Sequence, residues 1–260
     1  MSAAGHMRSS VPRAWTTLVQ ASLVLGSAAL LEVATRTGYI STMVLPPPSA
    51  MVLRLAEIVP TELFLRDLMT TVTTVLSAFA VGGVVGVVIG VFFWKFPFFG
   101  AVFEPYLVSM YSMPALVFYP ILLAILGLGS APIVVIASSM ALIPVALNTM
   151  VALRTINPTL PKLARSLNCT KRQIYLKVLV PAATPLVVPG LVLGFIYAMI
   201  GTIAMEFILA PNGIGFRIGY YYRSFDIVEM YSYILVASVI AIIANVMLNH
   251  LERRIRQDMQ

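Results

Sequence analysis

KLARSLNCTKRQIYLKVLVP, Lys162–Pro181, sets a basic, amphipathic stretch between two strongly apolar ones. The connection that contains it carries Arg154, Lys162, Arg165, Lys171, Arg172 and Lys177 and no acidic residue. A chain that is otherwise apolar here presents a segment for water, and for a soluble partner to grip. Its spacing is specific: a small residue at Ala164, Asn168 four positions on, and Val178, Leu179, Val180 and Pro181 about ten positions after that. Asn is, after Gly, the residue that best tolerates a positive φ, so Asn168 suits a tight turn between two short helices. On charge alone, a loop that only sets topology fits equally well.

Working outward, the flanks read as membrane spans. Apolar residues make up 60% of the chain and charged ones 10%, with a mean hydropathy of +0.94, whereas a soluble domain has about a quarter of its residues charged. Six stretches reach the length of about 20 helical residues that a hydrocarbon core requires. They run from about Trp15 to Ala34, Leu68 to Trp94, Val102 to Leu126, Pro132 to Leu153, Pro181 to Leu209 and Tyr231 to Leu251. The first is too long in its apolar part, and lacks a cleavage site, to read as a signal peptide. The expected organisation is a tail over 1–14, a six-helix domain over 15–251 with the basic loop at about 155–181, and a tail over 252–260. The basic loop faces the cytoplasm, which puts both termini inside, in keeping with Arg8 and Arg13 at one end and Arg253, Arg254 and Arg256 at the other. The same logic explains the net charge of +7 without nucleic acid as a partner. Cys169 is the single cysteine, so no disulfide within the chain and no CxxC site can form.

Leu45–Val59, LPPPSAMVLRLAEIV, opens on three prolines and continues with apolar residues at Met51, Leu53, Leu55 and Val59, which predicts a stiff turn leading into a helix on the outer surface. Other short motifs are Glu104-Pro105, Leu126-Gly127-Leu128-Gly129, Leu147-Asn148-Thr149, and Ala204-Met205-Glu206 followed by Gly213-Ile214-Gly215. From about Leu45 onward, these and the basic loop together resemble the permease subunits of ABC importers of the nitrate, sulfonate and taurine type. The loop resembles their EAA loop: Ala164 falls on its second Ala, Asn168 on its Gly, Val178 on its Ile, Val180 on its Leu and Pro181 on its Pro. Lys162 and Leu163 stand where that family has Glu and Ala.

The resemblance implies an all-α polytopic membrane protein with the type I ABC importer permease fold, in a bacterial inner membrane. It implies a second permease subunit, identical in our reading because this chain carries its own loop, two ATP-binding subunits holding ATP and Mg, and a periplasmic or lipid-anchored substrate-binding protein. No cofactor is expected in this chain. Nothing in it matches GxxxxGK[ST], so ATP hydrolysis belongs to the partner and the chain is not itself an enzyme. The coupling residues implied are Ala164, Arg165, Ser166, Leu167, Asn168, Lys171, Arg172, Gln173 and Pro181. Ala164 and Asn168 would allow close approach, the cations would meet acidic or carbonyl groups, and Leu167, Ile174 and Val178 would bury against the partner groove or the bundle. The solute implied is a small organic compound: a sulfonate, an aromatic carboxylate, a pyrimidine or a riboflavin-like molecule.

Four residues are candidates for the pathway itself. Tyr106, Met110 and Met113 share a helical face and can line a route for a solute with aromatic parts, although helix packing explains them as well. Glu206, near the outer end of the fifth span, must face protein or water, so a gate and a structural hydrogen-bonding role both stay open. Gly82, Gly83, Gly86 and Gly90 read as helix packing. Tyr220, Tyr221, Tyr222, Tyr231 and Tyr233 read as an interfacial belt or a docking surface. His6 and His250 are far apart and no cluster has metal-ligand spacing. The competing class is an ATP-independent channel or secondary transporter, which would show buried ion-coupling residues and paired broken helices.

Overall fold

The structure, a computed structural model, describes residues 13–111 and 115–257. Every regular element among these residues is helical. In chain order they are α1 (Arg13–Arg36), α2 (Pro48–Ile58), α3 (Glu62–Lys95), α4 (Pro97–Tyr111), α5 (Tyr119–Leu126), α6 (Ser130–Thr155), α7 (Thr159–Ser166), α8 (Lys171–Ile174), α9 (Val180–Leu209), α10 (Ile214–Arg223) and α11 (Ile227–Gln257). A 3-10 turn, Ala115–Phe118, precedes α5, and a π turn, Tyr175–Leu179, joins α8 to α9. Five helical runs, through α1, α3, α6, α9 and α11, are long and apolar enough to cross a membrane.

The expected third span, Val102–Leu126, is not one straight helix: α4 and the run from Ala115 to Leu126 stand at 90° to each other. Pro120 lies in the first turn of α5 and has no N–H to return to the preceding turn, so the helix restarts there rather than continuing. Counted as one broken span, the pair brings the total to six. At the C-terminal end α11 runs on through residues 252–257, part of the stretch expected as a tail.

The core is a sandwich of three helices with α6 in the middle, which explains why so many α6 residues are buried, among them Ala137, Ala141, Val145, Ala146 and Met150. Gly82, Gly86 and Gly90 form one stripe on α3. A Cβ at these positions would stand 2.4 Å from the Ser138 carbonyl oxygen, 2.8 Å from Val145 Cβ and 2.6 Å from Thr149 Cβ. The two helices are therefore parallel and in backbone contact. On the other side of α6, Gly190, Gly194 and Gly201 of α9 lie equally close to Asn148, Val145 and Met140 in reverse order, so α9 runs antiparallel. Small residues at i and i+4 permit this approach, which gives packing energy where lipid offers no hydrophobic drive.

Two ends of the bundle follow from these directions. The loop end carries Lys95, Thr155 and the start of α9; the far end carries α2, α10 and the start of α11. At the far end a cluster of Ile58, Phe64, Ile214, Ile218, Tyr233 and Val236 is buried. The proline-led helix α2 is fastened there: Glu32 of α1 accepts from Ser49 N at 2.9 Å and Ser49 Oγ at 2.6 Å, which supplies the cap that Pro47 cannot. Arg54 of α2 pairs with Glu229 of α11 and with Glu57, and Glu229 above all holds its guanidinium above its ordinary pKa. By contrast α1 leaves Leu18, Leu23, Val24, Leu25 and Leu30 exposed, a surface for lipid tails.

The α3–α6 contact makes a direct prediction. Gly86→Val forces branched carbons against Val145 Cβ at 2.8 Å and the Leu142 carbonyl oxygen at 2.9 Å, and destabilises the protein by about 1–3 kcal/mol, as over-packing does. Gly26→Ala on α1, with nothing within 4 Å of the added carbon, causes no loss of stability and by helix propensity adds up to about 1 kcal/mol. Thermal unfolding in detergent compares the two.

Candidate functional site

Three places collect the chemistry. The first is the basic loop, which folds as two short helices joined by a tight turn. Leu167 N donates to Leu163 O, Asn168 N to Arg165 O at 3.0 Å and Cys169 N to Ala164 O at 3.1 Å, and Asn168 has φ 57°. The last two of these three bonds, from Asn168 N and Cys169 N, end α7 in a Schellman motif, with Asn in the left-handed position normally held by Gly. Thr170 then starts α8 with a reciprocal cap: Gln173 N donates to Thr170 Oγ1 at 3.3 Å and Thr170 N to Gln173 Oε1 at 2.8 Å. The turn angle between the two helices is thus fixed by hydrogen bonds within the loop. The π turn carries the chain from α8 straight into α9, with Val180 N reaching Tyr175 O, so α8 and α9 form one continuous helical rod.

Burial divides the loop into two faces. Ala164, Ile174 and Leu179 are buried and pack with Trp94, Ile156, Cys169 and Val178, which seats the loop on the end of α3. Ala164 therefore makes its close approach inside the chain. Lys162, Leu163, Arg165, Ser166, Leu167, Asn168, Lys171, Arg172, Gln173 and Pro181 are exposed. Leu167 stands out at 70% exposure beside four exposed cations, an apolar contact with a basic rim.

The second place is a cavity of about 520 Å3 between the broken α4–α5 pair, α6 and α9, within the size range of about 300–1,000 Å3 typical of small-molecule sites. Met110, Phe118, Ser139, Met140, Tyr197 and Met205 are among its lining, and none of the lining residues carries a formal charge. The helix break matters here. Irregular backbone at membrane depth is tolerated only where protein buries it or a water-filled cavity solvates it, and the 3-10 turn at Ala115–Phe118 contributes to this wall. Of the four expected pathway residues, Met110 lines the cavity. Tyr106 is 66% exposed and outside the lining, and Met113 lies outside the described residues.

Glu206 belongs to the third place. It is buried and absent from the cavity wall, although Met205 and Ala204 beside it line that wall. Its Oε2 accepts from Thr71 Oγ1 at 2.8 Å and from Gly215 N at 3.0 Å. Asp67, one turn earlier on α3, accepts from Gly213 N at 3.0 Å and from Arg217 Nε at 2.5 Å. Ile214 N donates to Thr71 Oγ1 at 2.8 Å. Side chains of α3 and α9 thus take the N–H groups that open α10, the groups every helix start leaves unpaired. The structure puts Glu206 in hydrogen bonding, and it brings in Asp67, Thr71 and Arg217, which sequence reasoning missed. The available signal was Asp67 and Thr71 at i and i+4 at the head of an apolar run, on one helical face.

Among the described residues no group of His, Cys, Asp or Glu is arranged to hold a metal ion.

Comparison with known proteins agrees with this geometry. Residues 82–257 match the family described as binding-protein-dependent transport system inner membrane component. The taurine transport system permease protein TauC of Escherichia coli is 24% identical over 93% of this chain and 91% of its own length. The formylaminopyrimidine transport permease protein ThiX of Halalkalibacterium halodurans is 25% identical over 80% of this chain and 83% of its own. In solved structures of the MetNI methionine ABC transporter in inward-facing conformations, one chain superposes with a TM-score of 0.65 at 20% identity, over 74% of this chain and 96% of that one. The fold is that of a type I ABC importer permease, and the chain belongs to the family of binding-protein-dependent transport system inner membrane components.

Proposed function

We propose that this chain forms half of the translocation pathway of an ATP-driven importer for a small organic solute and is driven by a separate ATPase through the loop at about 155–181. The observation that carries the reading is the loop itself. A rigid two-helix unit, its angle set by Asn168 at φ 57° and by the Thr170 cap, presents Leu167 amid cations and continues without interruption into a helix that lines the cavity. A push on such a unit moves α9 as a rigid body, the motion that alternating access requires. Arg165, Lys171 and Arg172 would meet acidic or carbonyl groups on the rim of the ATPase groove, with Ser166 and Gln173 alongside them.

The remaining parts follow from the same reading. The loop end faces the cytoplasm, so both termini are cytoplasmic and the far end faces outward, in a bacterial inner membrane. One chain supplies six membrane crossings, and an identical second copy closes the pathway. Two ATP-binding subunits hold ATP and Mg, and a periplasmic or lipid-anchored substrate-binding protein delivers the solute at the far end. An uncharged wall with Met, Phe and Tyr side chains suits an organic solute with apolar or aromatic parts, within the range of sulfonates, aromatic carboxylates, pyrimidines and riboflavin-like compounds. The same wall disfavours an ion-coupled secondary transporter, which needs ionisable groups along its route.

Two predictions test the reading. Asn168→Gly keeps the left-handed turn and keeps co-purification with the ATP-binding subunit, whereas Asn168→Pro, which cannot adopt that φ and loses the N–H bonded to Arg165 O, abolishes coupling while the chain remains folded. Pull-down with tagged ATP-binding subunits reads both; equal recovery of the two variants contradicts the coupling role. Ala204→Trp fills the cavity from α9 and lowers solute uptake by about tenfold or more, equivalent to about 1.4 kcal/mol of barrier. Uptake by proteoliposomes at equal subunit stoichiometry measures it.

A further inference from the structure

α10 is held at both its start and its flank. Its opening N–H groups are bonded to Asp67, Thr71 and Glu206 rather than to a local cap. Along the flank, a Cβ on Gly215 would lie 2.4 Å from the Ile203 carbonyl oxygen, and one on Gly219 would lie 2.2 Å from that of Phe207. Gly213, at φ 112°, leaves no room either, because a Cβ there would be 2.5 Å from Glu206 Cδ. Arg217 adds the ion pair to Asp67, a carboxylate that is otherwise buried. The opposite side of the same helix is open: Tyr220 and Tyr222 are half exposed, and Phe225 just after it is 85% exposed.

The attachment point is not a random part of α9. Glu206 and the Ile203 and Phe207 carbonyls that meet α10 alternate along one turn with Ala204, Met205 and Ile208, which line the cavity. One face of this turn is pathway wall and the other is seat for α10.

We infer that α10 is a rigid lever that carries displacement of the exposed far-end surface to the cavity-lining turn of α9, with Asp67, Thr71 and Arg217 as the positioning residues that clamp its N-terminal end. The inference rests on the importer reading, in which a substrate-binding protein presses on the far end. A helix held by backbone contact on one side and by three side-chain acceptors at its end cannot tilt without moving what it is bonded to. Glu206, absent from the cavity wall and bonded to Thr71 and Gly215 N, is the joint between lever and wall.

Thr71→Val is the cleanest test, since it keeps the side-chain shape and the Asp67–Arg217 ion pair while removing the hydroxyl that both accepts from Ile214 N and donates to Glu206, which keeps its bond from Gly215 N. Arg217→Met and the conservative Arg217→Lys form a second pair. In the complex with the ATP-binding subunits, reconstituted in lipid nanodiscs, the readout is ATPase rate with and without the liganded binding protein. Thr71→Val and Arg217→Met are expected to lower the stimulated-to-basal ratio by about fivefold or more, in the range of ordinary coupling energies, with basal rate retained and Arg217→Lys recovering part of the ratio. An unchanged ratio overturns the lever, as does a loss of both rates in proportion to lost folded protein. Amide hydrogen exchange of the purified chain separates the two readings: the clamp requires slow exchange at 213–215 and faster exchange there in Thr71→Val, and equal exchange overturns it whatever the complex does. A native complex that the binding protein fails to stimulate contradicts the importer reading and the lever with it, while the exchange result still decides the clamp.

Discussion

Inside hydrocarbon, apolar surfaces gain nothing by leaving the solvent, so the protein depends on how closely α3, α6 and α9 can approach one another. Glycines on α3 and α9 bring both backbones onto α6, where even a methyl group would collide. Dispersion between atoms at contact distance is individually weak and large in sum, and this three-layer contact is where the sum accumulates. The other elements hang on it. α4 and α5 are fitted to one edge, α10 and the start of α11 close the far end, and the basic loop is seated on Trp94 and its neighbours at the other.

Polar chemistry is sorted along the same axis. The membrane-depth core uses Gly, Ala, Ser and Thr, while ion pairs gather at the ends: Asp67 with Arg217, Arg54 with Glu229, Glu104 with Arg154. A buried carboxylate is tolerated when it is paired and hydrogen bonded, and Asp67 satisfies both conditions. The cavity wall meanwhile carries no formal charge, and the charged groups stand where they hold helices together. The break between α4 and α5 opens the only irregular backbone described beside that cavity, so the element that departs from a straight span is also the one that shapes the space.

Much of this was legible in the sequence, and for physical reasons. Helix length against bilayer thickness gave the spans, a glycine at every fourth position of α3 gave the packing face, and the cation bias gave the loop. Asn168 was readable because few residues accept a positive φ, and its backbone adopts one. Two features were not readable. Pro120 marks where the helix of the third span restarts, but the 90° between its two pieces goes with the packing of α5 on α6 around Tyr119 and Ile133, a tertiary contact that hydropathy does not encode. The clamp at α10 joins Asp67 to Gly213 across 146 positions; in sequence Asp67 is one acidic residue among several near a helix start. Glu206 could be placed near the end of its span, but which way it faced was a matter of rotation about α9, and the α10 backbone decided it.

In the proposed coupling, the exposed tip of the loop sits in an ATP-binding subunit and follows its cycle. Site-directed cross-linking tests this most directly: Leu167→Cys in a Cys169→Ser background, treated with a short bifunctional reagent in membranes that contain the ATP-binding subunit. The expected result is a cross-link to that subunit whose yield changes between the ATP-bound and nucleotide-free states. Cross-linking to lipid-facing proteins alone, or a yield indifferent to nucleotide, would contradict it.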